Sequence, residues 1–157
     1  MKSNNSVELI TASLDYPELN IVKLDKINNY ITFELAISTP CLDKKYTIDK
    51  LEKCLHIYHK LKGISAQVLN FDVQHNNSLC FIRLKRDIET MKLDELKFFI
   101  SLANKFWGDM LIKEDLSYKG CINKKRFKKN LVEQFHNNNT SSYLVYREDG
   151  RIVVHNR

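Results

Sequence analysis

Leu69-Asn70-Phe71-Asp72-Val73-Gln74-His75-Asn76 and Asn77-Ser78-Leu79-Cys80-Phe81-Ile82-Arg83-Leu84 form one stretch whose two halves mirror each other. Apolar residues recur at every second position on both sides of an Asn-Asn pair, the pattern of a half-buried β-hairpin, and the other face carries Asn70, Asp72 and Gln74 against Arg83, Phe81 and Leu79. With Asn76-Asn77 as a two-residue loop, Val73 faces Cys80, Phe71 faces Ile82 and Leu69 faces Leu84. All six then share one apolar face. Asn tolerates the positive φ that such a loop demands.

Outward from this hairpin, helices flank it on both sides. Upstream, residues 48–62 carry Leu51, Cys54, Leu55, Tyr58 and Leu61 as an apolar stripe, with Thr47 as N-cap and Gly63 at the left-handed C-terminal position. Downstream, residues 92–111 place Leu96, Phe99, Ile100, Ala103, Phe106, Trp107 and Met110 at helical spacing. This is the expected main core helix. Before both, Ile31, Phe33, Leu35 and Ile37 alternate with Tyr30, Thr32, Glu34 and Ala36, which predicts a strand over 30–37. Residues 7–12 and 19–25 read as two further short strands, with a turn over Asp15-Tyr16-Pro17-Glu18 between them.

The C-terminal quarter adds a connector over 113–122, a helix over 124–135 capped by Asn123, and a loop over 137–141. A last hairpin follows, in which Asp149-Gly150 turns Tyr143–Glu148 back onto Arg151–Asn156. The expected order is β-β-β-α-β-β-α-α-β-β. That is an α+β fold, an antiparallel sheet with helices packed mainly on one face. A ferredoxin-like core, βαββα over residues 30–112 completed by a late strand, is the more specific expectation.

Composition agrees with one domain. The chain has 157 residues, 43% hydrophobic and 28% charged, enough for a real core without a metal or disulfide. The four cysteines, Cys41, Cys54, Cys80 and Cys121, lack the CxxC spacing of zinc ribbons or redox pairs. Cys80 falls in the strand pattern as a small apolar residue. No apolar run nears the ~20 residues that cross a bilayer, and Met1-Lys2-Ser3-Asn4-Asn5-Ser6 has no signal-peptide character. An intracellular, cytoplasmic protein with no membrane partner is expected.

Charge is distributed unevenly. Residues 119–157 hold nine basic and three acidic side chains, which is the whole of the net +6. Residues 1–118 hold sixteen of each sign and form a neutral body. The cations are Lys119, Lys124, Lys125, Arg126, Lys128, Lys129, Arg147, Arg151 and Arg157. Lys124, Lys125 and Arg126 fall in the first turn of the predicted third helix, where cations oppose the helix dipole. Phe127, Leu131 and Phe135 give that helix a narrow apolar stripe, leaving Lys124, Lys125, Lys128 and Lys129 facing out.

These cations, mixed with Tyr143 and Tyr146, suit phosphates and bases. Nucleic acid is therefore the leading expected partner, bound through Lys119, Lys124, Lys125, Arg126, Lys128, Lys129, Arg147 and Arg151. An acidic protein surface is the alternative, with the chain as a small chaperone, adaptor or inhibitor that could form a homodimer. A merely solubilising cationic face is the plainest reading.

Catalytic signatures are weak. Cys54, His56 and His59 form C-x-H-x-x-H, yet no third ligand is implied, and solvated helix histidines are the expected outcome. Glu34 could act as an acid or base, though an exposed strand carboxylate is the ordinary reading. Cys41, after Pro40, has no histidine fixed beside it by the sequence. No Walker loop, GxSxG, GxGxxG or HExxH occurs. No catalytic residue, metal or cofactor is expected, and an enzyme of unassigned class is the third possibility.

Overall fold

The computed structural model describes residues 2–39, 42–113, 124–137, 142–148 and 151–156. Its elements in order are α1 (Lys2–Ser13), β1 (Leu19–Asp25), β2 (Tyr30–Ile37), α2 (Lys44–Lys62), β3 (Leu69–Asn76) and β4 (Leu79–Asp87). Then follow α3 (Leu93–Trp107), a 3-10 turn (Gly108–Met110), α4 (Lys124–Asn137), β5 (Ser142–Glu148) and β6 (Arg151–Asn156). The strands form one sheet in the order β3-β4-β2-β1-β5-β6, antiparallel throughout. The α+β class and the antiparallel sheet are as the sequence led one to expect.

Residues 7–12 are a helix and not a strand. The buried positions Ser6, Val7, Leu9, Ile10, Ser13 and Leu14 recur at helical spacing once the window opens at residue 6. β-branched Val7, Ile10 and Thr11 favour a strand locally, and packing overrides that preference. The Asn5 side-chain amide donates to the carbonyls of Ile88 and Met91 at 2.5 and 2.9 Å, which ties α1 to the end of β4.

β2 is the central strand, and Ile31, Phe33, Leu35 and Ile37 are fully buried on its inner face. Its neighbours add Val22 and Leu24 from β1, and Cys80, Ile82 and Leu84 from β4, at the same inward register positions. α2 starts four residues earlier than expected. Asp43 and not Thr47 is the cap, its carboxylate accepting from the Tyr46 N–H at 2.9 Å. The stripe consequently runs Thr47, Leu51, Leu55, His59, and Leu61 turns outward at 81% exposure. Gly63 does end the helix in the left-handed region, at φ 68°.

The β3–β4 hairpin keeps its predicted faces but shifts its register. The loop is Asn77-Ser78, with Asn77 at φ 57°, so Val73 faces Ile82, Phe71 faces Leu84 and Leu69 faces Arg86. A shift of two residues leaves every side chain on the same face. α3 buries Leu96, Phe99, Ile100, Ala103 and Trp107 as expected. Met110 does not join them and is 42% exposed, because the helix ends at Trp107. The chain then runs beside β2, with Ser38 N–H to the Met110 carbonyl at 2.7 Å and Ile112 N–H to the Ala36 carbonyl at 2.9 Å.

α4 packs on α1 through buried Leu131. The last hairpin has its predicted register, Tyr143 opposite Asn156 and Glu148 opposite Arg151, and β5 pairs with β1. The connector over 114–122, Asn123, the loop 138–141 and the Asp149-Gly150 turn lie outside the described residues.

Candidate functional site

The basic residues occupy two elements. Lys124, Lys125 and Arg126 are the first three residues of α4, and no acidic residue shares that turn. Arg126 and Lys129 are exposed. Lys128 is half-buried and does not face out as expected: its ammonium is hydrogen-bonded to the Glu8 carboxylate of α1. Arg147 on β5 pairs with Ile152, and Arg151 on β6 faces Glu148, so both lie toward the closed end of the last hairpin. Lys119 lies outside the described residues.

A second feature was not anticipated. The sheet face turned away from the main core is open, and it holds a groove of about 430 Å³ over β4, β2 and β1. Glu34 forms part of its lining and is only 4% exposed, so the exposed-carboxylate reading is wrong. Its oxygens accept from Arg83 Nε at 2.8 Å and Asn20 Nδ2 at 2.7 Å. Arg83 also donates to Gln74 at 2.7 Å and lies 3.5 Å from Asp72. Both groove carboxylates are thus engaged by one guanidinium.

In the adjacent register row, Asn70, Lys85, Thr32, Lys23 and Leu144 stand side by side on five strands. Lys85 Nζ lies 4.4 Å from the Tyr30 ring centroid. Burial alone pushes the Asp25 carboxyl up. Hydrogen bonds from Asn28 and Ile27, and the nearby Lys85, outweigh it and hold that carboxyl below its ordinary value.

A third cluster sits on the helix-covered side. Arg86 is fully buried. It grips Glu95 with two bonds, Nε to Oε2 at 2.5 Å and Nη2 to Oε1 at 3.0 Å. Its Nη1 donates to Thr90 Oγ1 at 3.0 Å, to the Val68 carbonyl at 3.1 Å and to Asp87. His59 Nε2 donates to Glu95 Oε1 at 2.7 Å, so it is a buried partner and not a solvated helix histidine. Glu95 also stands in the first turn of α3, where the helix dipole favours its charge. Each ionisable side chain in this cluster has a hydrogen-bonded partner, and its chemistry is structural: it pins α2 and α3 to β4.

Burial pushes the Asp87 carboxyl up, but the Thr90 hydroxyl, the Val68 N–H and the Arg86 guanidinium outweigh it and hold it below the usual carboxylate range. A carboxyl held down in the folded chain stabilises it above the unfolded value of about 3.9. That contribution is lost as pH falls through the lower, folded value. Asp87→Asn should therefore melt at a lower temperature near neutral pH and show a shallower fall in Tm below about pH 4. Thermal melts followed by circular dichroism across acid pH check this, and parallel curves for both proteins would refute it.

The remaining candidates separate. His56 is exposed while His59 is engaged in the core, so the pair has no common opening. Among the described residues, no group of three or more His, Cys, Asp and Glu side chains could hold a metal. Cys80 is fully buried as read, with its thiol 3.1 Å from His75 Nδ1 and 3.3 Å from the Thr39 carbonyl. A nucleophile sealed from solvent meets no substrate. Cys41 and Cys121 lie outside the described residues.

No family model matches the chain, and no curated protein and no solved structure matches it. Among the described residues no helix is long and apolar enough to cross a membrane.

Proposed function

We propose that this chain is a non-enzymatic intracellular binding protein that holds an anionic macromolecule, nucleic acid in the first place, against α4 and the β5–β6 hairpin. The observation that carries the reading is the composition of the first turn of α4: three cations and no acidic residue. Each such cation costs the helix about 0.3–1 kcal/mol against its dipole. Helix N-termini offer N–H groups to anions, and Lys124, Lys125 and Arg126 add three formal charges to that first turn. Leu131 docks the helix, which leaves exposed Arg126 and Lys129 to solvent. Lys128, bound to Glu8, contributes less than its neighbours. Arg147 and Arg151 on the last hairpin, and Lys119 in the sequence before α4, are the further cations of this reading.

The ferredoxin-like reading of residues 30–112 draws on the strand order β3-β4-β2, and β1 stands in the fourth place that a late strand was expected to fill. An acidic protein surface is the competing partner. Fluorescence anisotropy with a labelled single-stranded oligonucleotide, against a glutamate-rich peptide of equal charge, separates the two. The oligonucleotide should bind more tightly, because phosphates accept several hydrogen bonds each and bases add stacking. Equal or tighter binding of the peptide would turn the reading to an acidic protein.

A further inference from the structure

We infer that the groove on the open sheet face, between Lys23 and Lys85 and over Thr32, is a seat for a nucleotide phosphate. In the nucleic-acid reading, on which this rests, it is where a single strand crosses the sheet. Lys23, Thr32 and Lys85 are direct cross-strand neighbours on β1, β2 and β4. Strands lie about 4.8 Å apart, so the two lysine backbones stand about 10 Å from each other across one residue. Lys23 and Lys85 thus stand on either side of the central threonine, and that separation leaves room for one tetrahedral anion.

The charge balance favours an anion there. Three cations and two carboxylates line the groove, and both carboxylates, Glu34 and Asp72, face Arg83. Lys23 is exposed and makes no ion pair among the described residues, and Lys85 rests on the Tyr30 ring near the Asp25 carboxylate. Thr32 brings a hydroxyl and Asn70 an amide to the same row, both able to donate to phosphate oxygens. Ile21 and Leu144 line the groove toward β5 and give an apolar bed for a sugar or base.

The shape favours a strand over an enclosed small molecule. The row continues in register from Lys23 to Leu144 and on to His155 of β6, so the groove lies beside the last hairpin.

Two titrations test this. In the first, adenosine 5′-monophosphate is added to 15N-labelled full-length protein, and amide shifts should centre on Lys23, Thr32, Asn70 and Lys85. Shifts confined to residues 119–157, or none at all, would overturn the seat. In the second, K23A/K85A is compared with wild type for binding a single-stranded oligonucleotide. Affinity should fall at least tenfold, and the slope of log affinity against log salt should shrink by about 0.7, the share of one phosphate contact. Wild-type affinity in K23A/K85A, beside lost affinity in a variant reversed in α4, would overturn the groove and leave the helix reading standing. Adenosine monophosphate shifts at the groove without any oligonucleotide binding would uphold the seat and remove the polymer reading.

Discussion

Glu95→Ala should destabilise the protein by about 3–5 kcal/mol, because it takes from the buried Arg86 the carboxylate that grips it with two bonds and leaves Asp87 as its one ionic partner among the described residues. Arg86 has no exposed atoms to rehydrate, and three of its five contacts reach acceptors fixed elsewhere. The loss of Glu95 also strands His59, whose Nε2 donates to that carboxylate. Attraction between two ions in the interior offsets their desolvation only while both are present. Replacing the pair together, Glu95→Leu with Arg86→Met, removes the buried guanidinium but still strands His59 and Asp87, so it should recover only part of the loss. Urea unfolding of the single and double variants makes the comparison. A Glu95→Ala cost under about 1 kcal/mol would mean that water reaches the pair and that it is worth no more than a surface bridge.

The second large effect concerns binding. Lys124→Glu, Lys125→Glu and Lys129→Glu together should abolish oligonucleotide binding while leaving the fold intact. Reversal at the first two positions relieves the dipole conflict, so the variant should melt no lower than wild type, and each change there is worth about 0.3–1 kcal/mol in favour of the helix. Lys128 is left alone because Glu8 faces it, and a glutamate there would set two carboxylates against each other between α4 and α1. Anisotropy titration beside a thermal melt reads both quantities. Binding retained at wild-type strength, with an unchanged melt, would remove α4 from the interface. An intact melt with binding lost is the predicted pair.

Much of this architecture was legible in the residues. Alternation over Tyr30–Ile37 located the central strand, and the stripe from Leu96 to Trp107 located the core helix. The hairpin's faces were legible because side chains alternate with period two, while its register was not. Two adjacent asparagines both suit a tight loop, and only the native fold selects Asn77-Ser78. The α1 stripe was hidden by the strand preference of Val7, Ile10 and Thr11. The buried cluster was hidden for a different reason: its partners Arg86, Glu95 and His59 come from three different elements, and periodicity carries no pairing information.

One signal was nonetheless present. Arg86 follows Cys80, Ile82 and Leu84 at the same inward parity. A charge at that position demands a buried partner, and Glu95 in the next helix was there to supply it. Glu34 likewise stands opposite Arg83, a pairing that needs the β2–β4 register to be visible. The groove on the open face depends on strand order as well as strand identity. No local pattern announces that Lys23 and Lys85 flank Thr32.

The central claim, that this chain binds a polyanionic strand, is tested most directly by the salt dependence of wild-type binding to a labelled single-stranded oligonucleotide. Each phosphate contact contributes about 0.7 to the slope of log affinity against log salt. If α4, the hairpin and the groove all engage, the plot should be linear, with a negative slope of several units and an affinity that drops by orders of magnitude between low and moderate salt. A flat plot, or no binding even at low salt, would contradict the account.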